Sequence, residues 1–233
     1  MEAVLFDLDG TLLPMDMKEF MSQYFKVLTK KFKEIVPPDQ MKKSLLAATG
    51  AMIHNSRPGK TNQEVFMETF VPLVNRPAAE LTPLFDYFYT HEYKELRSYT
   101  TPDPVAGKVV GKLAGHGYRL VLATNPVFPY KAIMERMRWA GVDSFPWELV
   151  TAYEDSHYCK PNPCYYDEIL RKIGLPGHRV LMVGNDTTMD LIASSLGIKT
   201  FLVTDYLIDK GDSTWQPDFK GRLHELLNYL NID

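Results

Sequence analysis

Val4-Leu5-Phe6-Asp7-Leu8-Asp9-Gly10-Thr11-Leu12-Leu13 is the stretch that decides the fold of this chain. The apolar run before Asp7 predicts a strand covered on both faces. Asp7 and Asp9 then stand at its carboxyl end, where two unpaired carboxylates would be costly to bury. We therefore expect cationic groups to meet them there. A turn at Asp9-Gly10 after an edge strand, with Asp7 in solvent, is the simpler alternative.

The composition excludes several classes of protein. With 233 residues, 45% of them hydrophobic, the chain is long enough for one large domain or two modest ones. Its formal net charge of -3 and the absence of a basic run argue against nucleic acid or membrane as partners. Two cysteines are too few for a disulfide framework, and no stretch of about 18 apolar residues or basic leader occurs. We expect a cytoplasmic protein.

Residues 15–98 have the pattern of helices, without a convincing strand. Apolar residues spaced by three and four predict helices over residues 17–32, 41–51, from 62 onward, and 81–96. Asp39 is placed to cap the second of these helices. Thr61 and Glu64 form a possible capping box for the third. The segment is therefore predicted to be a helical domain.

Strands and helices alternate after residue 104. Strands are predicted at residues 119–123, 148–152, 179–183 and 200–203, and helices at 105–116, 130–140, 163–173, 189–196 and 219–230. Such alternation is typical of a parallel sheet with helices on both faces. The predicted fold is a doubly wound α/β core of residues 1–14 and 99–233. A helical cap domain of residues 15–98 is inserted after the first strand.

Polar residues gather at the carboxyl ends of the predicted strands. They are Asp7, Asp9 and Thr11 after the first strand, Thr124 and Asn125 after the second, His157, Cys159 and Lys160 near the third, and Gly184, Asn185, Asp186 and Asp190 after the fourth. Because ligands of such sheets bind outside the carboxyl ends of the strands, we expect these residues around one crevice.

These groups resemble, in the same order, the four motifs of the haloacid dehalogenase (HAD) superfamily. The matching segments are Asp7-Leu8-Asp9-Gly10-Thr11, Thr124-Asn125, Lys160-Pro161, and Gly184-Asn185-Asp186 with Asp190. The Asp-x-Asp spacing of the first segment is that of the phosphotransferase branch. The resemblance spans residues 7–190 but leaves the helical insertion uncovered. It implies a HAD-like core with a cap.

The resemblance implies a Mg²⁺-dependent phosphatase acting on a small phosphorylated metabolite. Asp7 would be the nucleophile and form an aspartyl-phosphate. Asp9 would protonate the leaving oxygen and then take a proton from the hydrolytic water. Lys160 and Thr124 would bind phosphoryl oxygens, with Lys160 also offsetting the charge of Asp7. Asn125 would orient this phosphate site.

The metal ligands implied by the resemblance are Asp7, the backbone carbonyl of Asp9, and Asp186. Oxygen ligands of this kind suit Mg²⁺. The commoner family pattern has Asp directly after the glycine, so either Asn185 or Asp186 could face the metal. We favour Asp186, because a charged ligand balances Mg²⁺ better.

Three further residues are expected to orient these ligands without binding the metal themselves. Asp190 would hold Lys160 or a metal-bound water, and Thr11 and Asn185 would lie beneath the metal site. In the inserted domain, Arg57 and Lys60 of a polar loop could reach an anionic substrate, although such loops are usually only loops.

Two alternative functions remain open from the residues alone. A phosphomutase or phosphotransferase would use the same aspartyl-phosphate with a different acceptor. A non-catalytic phospho-receiver module would keep a stable aspartyl-phosphate, and Asp9 argues against it because an acid/base is superfluous there. The cysteine beside the third motif, Cys159, is either a thiol with a pKa lowered by Lys160 or a packed bystander.

Overall fold

A computed structural model describes residues 1–211 and 213–232 of the chain. Six strands form one sheet in which every neighbouring pair is parallel. The strands are β1 (Ala3–Phe6), β2 (Arg119–Leu122), β3 (Trp147–Val150), β4 (Val180–Gly184), β5 (Lys199–Val203) and β6 (Phe219–Gly221). Their order across the sheet is β3-β2-β1-β4-β5-β6. The predicted α/β fold with a parallel sheet is confirmed.

Eight α-helices and three short 3-10 helices occur in the described residues. The α-helices are α1 (Met17–Phe32), α2 (Pro38–Ile53), α3 (Asn62–Val74), α4 (Ala78–Thr90), α5 (Pro104–Gly115), α6 (Tyr130–Ala140), α7 (Pro163–Ile173) and α8 (Glu225–Tyr229). The 3-10 helices are Glu92–Tyr99, Gly177–Arg179 and Leu191–Leu196. Within residues 1–211 and 213–232, none of these helices has the length and apolarity needed to cross a membrane.

Strand β1 is fully buried because helices cover both faces of the sheet. Its side chains alternate, so Val4 and Phe6 pack into a cluster with α5 and α6. Ala3 and Leu5 pack into a second cluster with α7. At its carboxyl end, Phe6 lies between Leu122 of β2 and Val183 of β4. Asp7 therefore leaves the sheet between the ends of its two neighbouring strands.

The helical insertion, defined as residues 17–99, lies between β1 and α5. Asp16 caps helix α1, because its carboxylate accepts from the amides of Lys18 and Glu19. The helix buries Phe20, Tyr24, Leu28 and Phe32 at i, i+4 spacing. Aromatic contacts continue from the insertion into the core, where Tyr93 stacks on Trp139 of α6. The domain boundaries near residues 15 and 98 stay predictions.

Helix α3 confirms one of the two predicted caps. The hydroxyl of Thr61 accepts from the amide of Glu64, and the Glu64 carboxylate accepts from the amide of Thr61. The prediction for Asp39 is wrong, because α2 begins at Pro38 and no side chain caps it. Proline suits this position, since the first amide of a helix has no partner within the helix.

The predicted helix over residues 81–96 is also wrong in its second half. Helix α4 ends at Thr90, and a 3-10 helix follows from Glu92 to Tyr99. Its buried residues, Tyr93 and Leu96, are three positions apart, and this spacing matches the three residues per turn of a 3-10 helix.

Two further predicted helices are shorter than expected. Residues 189–196 form only a 3-10 helix over Leu191–Leu196. Residues 219–230 divide into β6 and the short helix α8. Strand β6 pairs with β5, whose free edge would otherwise leave backbone groups without partners.

Candidate active site

Except for Arg57 and Lys60, the predicted site residues lie at or near the carboxyl edge of the sheet. Asp7 follows β1, and its amide donates to the carbonyl of Val183 at 2.9 Å. Thr124 and Asn125 follow β2, and Asp186 follows β4. The crossover rule for parallel sheets thus brings residues from distant parts of the chain to one edge.

Lys160 is the centre of the charged cluster. Its side chain is only 1% exposed, and Nζ donates to Oδ1 of Asp7 at 2.9 Å and to Oδ1 of Asp190 at 2.7 Å. The amide of Lys160 also donates to Oδ1 of Asn125 at 3.1 Å. Burial works to lower the pKa of Lys160, but the carboxylates of Asp190 and Asp7 together raise it well above its ordinary value. The ammonium group therefore stays protonated.

Asp7 lacks enough positive charge around it. Burial raises the pKa of Asp7 from its ordinary 3.8 to about 7. Lys160 opposes this rise, whereas the nearby carboxylates of Asp190 and Asp9 add to it. A further cation at this position would favour the ionised carboxylate.

Asp9 has a buried cation of its own, which we did not predict from the sequence. Nη1 of Arg136 on α6 contacts Oδ2 of Asp9, and the Arg136 side chain is 1% exposed. The guanidinium lies 4.5 Å from the ring centroid of Phe128. Burial raises the pKa of Asp9 above its usual range, against the opposing effect of Arg136. The available signal was an arginine on the apolar face of the predicted helix, between Ile133 and Ala140.

The two oxygens of Asp9 have different surroundings. Oδ2 contacts Arg136, whereas the buried Oδ1 has no hydrogen-bond partner among the described residues. Nε and Nη2 of Arg136 are likewise buried without a partner there. The ion pair thus fixes the carboxyl group and leaves Oδ1 for another contact.

Thr124 and Asn125 are held rigidly at the end of β2. The carbonyl of the buried Thr124 accepts from the hydroxyls of Thr151 at 2.7 Å and Tyr165 at 2.8 Å. Asn125 uses its side-chain oxygen to hold the amide of Lys160. This bond connects the loop after β2 to the loop that carries Lys160.

Asn185 packs beneath the first motif. Its Oδ1 accepts from the hydroxyl of Thr11 at 3.1 Å, and its Nδ2 donates to the carbonyl of Tyr206 at 2.6 Å. Gly10 is required above it, because φ is +83° there and an added Cβ would lie 2.3 Å from Nδ2 of Asn185. Both polar atoms of the Asn185 side chain are therefore already engaged.

Asp186 is oriented by two backbone amides that follow it in the chain. Oδ1 of Asp186 accepts from the amides of Thr188 at 2.8 Å and Met189 at 2.9 Å. Its own amide donates to Oδ2 of Asp190 at 3.0 Å. Asp190 thus joins the fourth motif to Lys160, in the supporting position expected from the sequence.

Side chains alone do not complete a Mg²⁺ site at this edge of the sheet. Among residues 1–211 and 213–232, no group of three or more His, Cys, Asp or Glu side chains could hold a metal ion. Arg136 holds Oδ2 of the Asp9 carboxylate, and the donor that the resemblance implies from this residue is its backbone carbonyl. The donors that the resemblance implies, Asp7, Asp186 and that carbonyl, are all oxygens, and Mg²⁺ commonly binds through one or two carboxylates and several waters. The excess of carboxylates around Asp7 also suits a cation.

Arg57 and Lys60 lie on the surface of the insertion. Both side chains contact Glu68, and they are 56% and 38% exposed, respectively. Neither donates a hydrogen bond to Asp7 or Asp9 within the described structure. Their contact with a substrate stays a prediction.

Cys159 does not have a lowered pKa. It is fully buried, and burial raises the pKa of its thiol to about 12. Asn62, at the start of α3, donates to its sulfur at 3.3 Å and to the carbonyls of Pro126 at 3.2 Å and Tyr158 at 3.3 Å. Cys159 is thus a packed thiol at a junction between the insertion and the core.

Comparison with known proteins identifies the family of the chain. Residues 1–196 match the family model described as haloacid dehalogenase-like hydrolase. Pyrophosphatase PpaX of Halalkalibacterium halodurans is 23% identical over 183 residues, which cover 75% of this chain and 83% of that protein. Glyceraldehyde 3-phosphate phosphatase of Methanothermobacter thermautotrophicus is 29% identical over 109 residues, covering 46% and 47% of the two chains.

Solved structures share the whole architecture. A HAD phosphatase from Thermococcus onnurineus superimposes with a TM-score of 0.62 at 19% identity, covering 100% of this chain and 99% of that one. An L-2-haloacid dehalogenase from Xanthobacter autotrophicus has a TM-score of 0.61 at 15% identity, with 99% and 98% covered. At such identities these likenesses show the fold. Because the family model spans most of the sequence, the chain belongs to the haloacid dehalogenase-like hydrolases, and the superfamily predicted from its four motifs is confirmed.

Proposed function

We propose that the chain is a Mg²⁺-dependent phosphatase that hydrolyses a small phosphorylated metabolite through an aspartyl-phosphate on Asp7. The observation that carries this proposal is the buried ammonium group of Lys160 between Asp7 and Asp190. It fixes a carboxylate at the open end of a central strand and supplies positive charge beside it. Relatives named as a pyrophosphatase and a phosphatase support the same reaction class.

In the first half of the reaction, the Asp7 carboxylate attacks phosphorus and the bond from phosphorus to the leaving oxygen breaks. Asp9 donates a proton to that oxygen, so the product leaves as a neutral alcohol. We assign the transferred proton to Oδ1 of Asp9, because Oδ2 is held by Arg136.

In the second half, water attacks the phosphorus of the aspartyl-phosphate. Asp9, now ionised, takes a proton from this water, and the bond between phosphorus and Asp7 breaks to release inorganic phosphate. Dividing the hydrolysis into two displacements lets one acid/base residue serve both steps.

Positive charge must offset a dianionic substrate in an acidic site. Two like unit charges at 4 Å repel by about 4 kcal/mol at an effective dielectric of about 20. Lys160 offsets this charge beside Asp7, and Thr124 would bind phosphoryl oxygens. Asp7, Asp186 and the carbonyl of Asp9 would hold Mg²⁺, which when bound supplies further charge stabilisation for phosphoryl transfer.

The formal net charge of -3, without a basic run, supports a small-molecule substrate over nucleic acid or an anionic membrane surface. We further infer a cytoplasmic protein, which two cysteines that form no disulfide support.

A panel of phosphorylated metabolites tests the proposal. We expect Mg²⁺-dependent release of inorganic phosphate from at least one compound, and loss of at least about a thousandfold in rate for Asp7→Asn, which removes the nucleophile. Release by Asp7→Asn at the wild-type rate would contradict the mechanism. A rearranged phosphate ester without free phosphate would instead indicate a phosphomutase.

A further inference from the structure

Residues 153–159, which we call the lysine loop, lead from the end of β3 to Lys160 and contain turns but no helix or strand. One side of this loop faces the insertion. Its backbone carbonyls accept three hydrogen bonds from there: from the amide of Gln63 to Tyr153 at 2.9 Å, from the amide of Asn62 to Ser156 at 2.8 Å, and from the side chain of Asn55 to His157 at 3.1 Å. The insertion therefore docks on the loop that carries Lys160 into the charged cluster.

A buried carboxylate of the core holds the other side of the lysine loop. Glu168 lies on α7, and its side chain is 8% exposed. Its Oε2 accepts from the amide of His157 at 3.1 Å, and its Oε1 accepts from Nδ1 of the same residue at 3.0 Å. Lys172, one turn further along α7, contacts Oε1 at 2.7 Å and donates to the carbonyl of Asp155 at 2.6 Å. The proposed reaction uses neither Glu168 nor His157.

Glu168 is ionised although it is buried. Burial works to raise the pKa of Glu168, but the hydrogen bonds from Lys172 and His157 lower it below its ordinary value. Because an ionised carboxylate can only accept hydrogen bonds, the ring of His157 carries a proton on Nδ1. Hydrogen bonds to a charged group are stronger than those between neutral groups. This carboxylate can therefore fix a loop that has no regular backbone pairing.

The two sides of the lysine loop meet at His157. Its amide and ring bind Glu168 of the core, whereas its carbonyl accepts from Asn55 of the insertion. A shift of His157 would therefore disturb both contacts at once. Lys160 follows three residues later, and its Nζ must stay between Asp7 and Asp190. Misplacing a reacting group by about 1 Å can cost about a hundredfold in rate.

We propose that Glu168 is a positioning residue that fixes the lysine loop through His157 and thereby links the docking of the insertion to the placement of Lys160. The inference rests on the proposed function only for the role of Lys160 in phosphoryl transfer. Loss of the Glu168 carboxylate should loosen the loop locally, and its effect on hydrolysis should require Lys160.

Labelling of Cys159 tests the hold on the loop without turnover. Cys159 is the last residue of the lysine loop, is fully buried, and is the only thiol in a Cys164→Ser background. We expect Glu168→Gln to speed its reaction with a disulfide reagent at least about tenfold, and by more than the change in the unfolding equilibrium constant measured with urea. An increase no larger than that change would overturn the inference.

Asp167→Asn is the matched control, because Asp167 lies on the same helix but pairs with Arg171 at the surface. It should change the labelling rate less than about threefold. An equal response of Asp167→Asn and Glu168→Gln would contradict a specific role for Glu168. His157→Leu removes the ring contact and keeps the backbone amide, so it should speed labelling at least about threefold. No acceleration in His157→Leu would likewise overturn the inference.

A double substitution tests the link through His157. Asn55→Ala removes the contact of the insertion with the His157 carbonyl and should also speed the labelling of Cys159. Combined with Glu168→Gln, the acceleration should fall at least about threefold short of the product of the single effects, because a loosened His157 no longer presents its carbonyl to Asn55. Single effects that simply multiply would overturn the link.

Hydrolysis shows whether Glu168 acts through Lys160. With an ester that the wild type hydrolyses, Glu168→Gln should lower kcat/KM at least about tenfold, and Asp167→Asn should leave it unchanged. In a Lys160→Gln background, Glu168→Gln should change the residual rate less than about twofold. Losses that multiply would overturn the inference and retain the phosphatase. If no ester is hydrolysed, the proposed function fails, and the labelling of Cys159 still decides whether Glu168 holds the loop.

Discussion

Arg136 is the residue whose role the structure alone revealed. A guanidinium buried at 1% exposure is tolerable only beside a counter-charge, and Asp9 supplies it. In the proposed reaction Arg136 acts through Asp9 as a positioning residue, because it holds one oxygen and leaves the other for proton transfer.

Replacing Arg136 should therefore affect both stability and catalysis. Arg136→Met leaves the Asp9 carboxylate buried without a partner, and we expect a loss of about 3–5 kcal/mol in the free energy of unfolding, measured with urea. Arg136→Lys keeps the charge and should lose less. In the Asp9→Asn background, Arg136→Met should cost markedly less. Additive effects of the two substitutions would contradict a direct ion pair.

The choice between Asn185 and Asp186 as a metal ligand can be decided by substitution. Asp186→Asn keeps an oxygen that can accept from the amides of Thr188 and Met189, yet removes the negative charge. We expect it to raise the Mg²⁺ concentration for half-maximal activity at least about tenfold. Asn185→Ala breaks two hydrogen bonds, one of them buried, and should cost about 1–3 kcal/mol of stability, with little change in Mg²⁺ requirement. The opposite pattern would assign the metal to Asn185.

Thiol chemistry tests the surroundings of Lys160. Because burial raises the pKa of Cys159 to about 12, its thiol should react with a disulfide reagent at pH 8 only when the protein unfolds. Cys164 is exposed and should react quickly in the native protein. We expect one fast thiol in the native wild type and none in Cys164→Ser. Two fast thiols in the wild type would show that Cys159 is accessible.

At the scale of elements, helix α3 connects the insertion to the core. Its first residue, Asn62, is fully buried and donates to Pro126, Tyr158 and Cys159 in the loops after β2 and β3. These loops carry the residues that we assign to phosphate binding. The Asn62 side chain therefore helps to hold the insertion over the site, together with the backbone amides of Asn62 and Gln63, which donate to the carbonyls of Ser156 and Tyr153.

We expect Asn62→Ala to cost about 1–3 kcal/mol in the free energy of unfolding, because the loop carbonyls lose a buried donor. It should also raise KM for a hydrolysed ester. Thr61→Ala is the matched control, since Thr61 caps the same helix without a side-chain hydrogen bond to the core. It should cost about 1 kcal/mol and leave KM unchanged. Equal KM effects would mean that Asn62 acts only through the helix.

At the scale of the whole molecule, the acidic cluster makes stability depend on pH. Folding raises the pKa of Asp7 from 3.8 to about 7, mainly through burial. The folded protein therefore holds this proton more tightly than the unfolded chain. The resulting stability is present at low pH and is lost as pH rises through about 7.

For the metal-free protein, we thus expect the urea concentration at the unfolding midpoint to decrease as the pH is raised from 5 to 8. The decrease should be smaller for the Asp7→Asn variant. Mg²⁺ binds the ionised carboxylate, so it should raise the midpoint more at pH 8 than at pH 5. Circular dichroism in EDTA and in excess Mg²⁺ provides the measurement. A Mg²⁺ effect as large in Asp186→Asn as in the wild type would contradict the proposed ligands.

The sequence by itself determined the fold class and the core of the site. Hydrophobic periodicity is a local property, so buried strands and amphipathic helices could be recognised segment by segment. The regular handedness of parallel crossovers then brought Asp7, Asn125 and Lys160 together, and the structure joins them by hydrogen bonds. The four motifs are also short local segments, and their order along the chain predicted the family correctly.

Tertiary structure alone decided the contacts between segments that no local pattern connects. Arg136 lies 127 residues from Asp9 in the sequence. Residues 219–221, predicted to be helical, form strand β6 because they pair with the free edge of β5. An apolar cavity likewise exists only where helices of the insertion meet the loop after β2. Such features depend on packing and burial in three dimensions, because the free energy of a buried charge or an open strand edge is set by its neighbours in space.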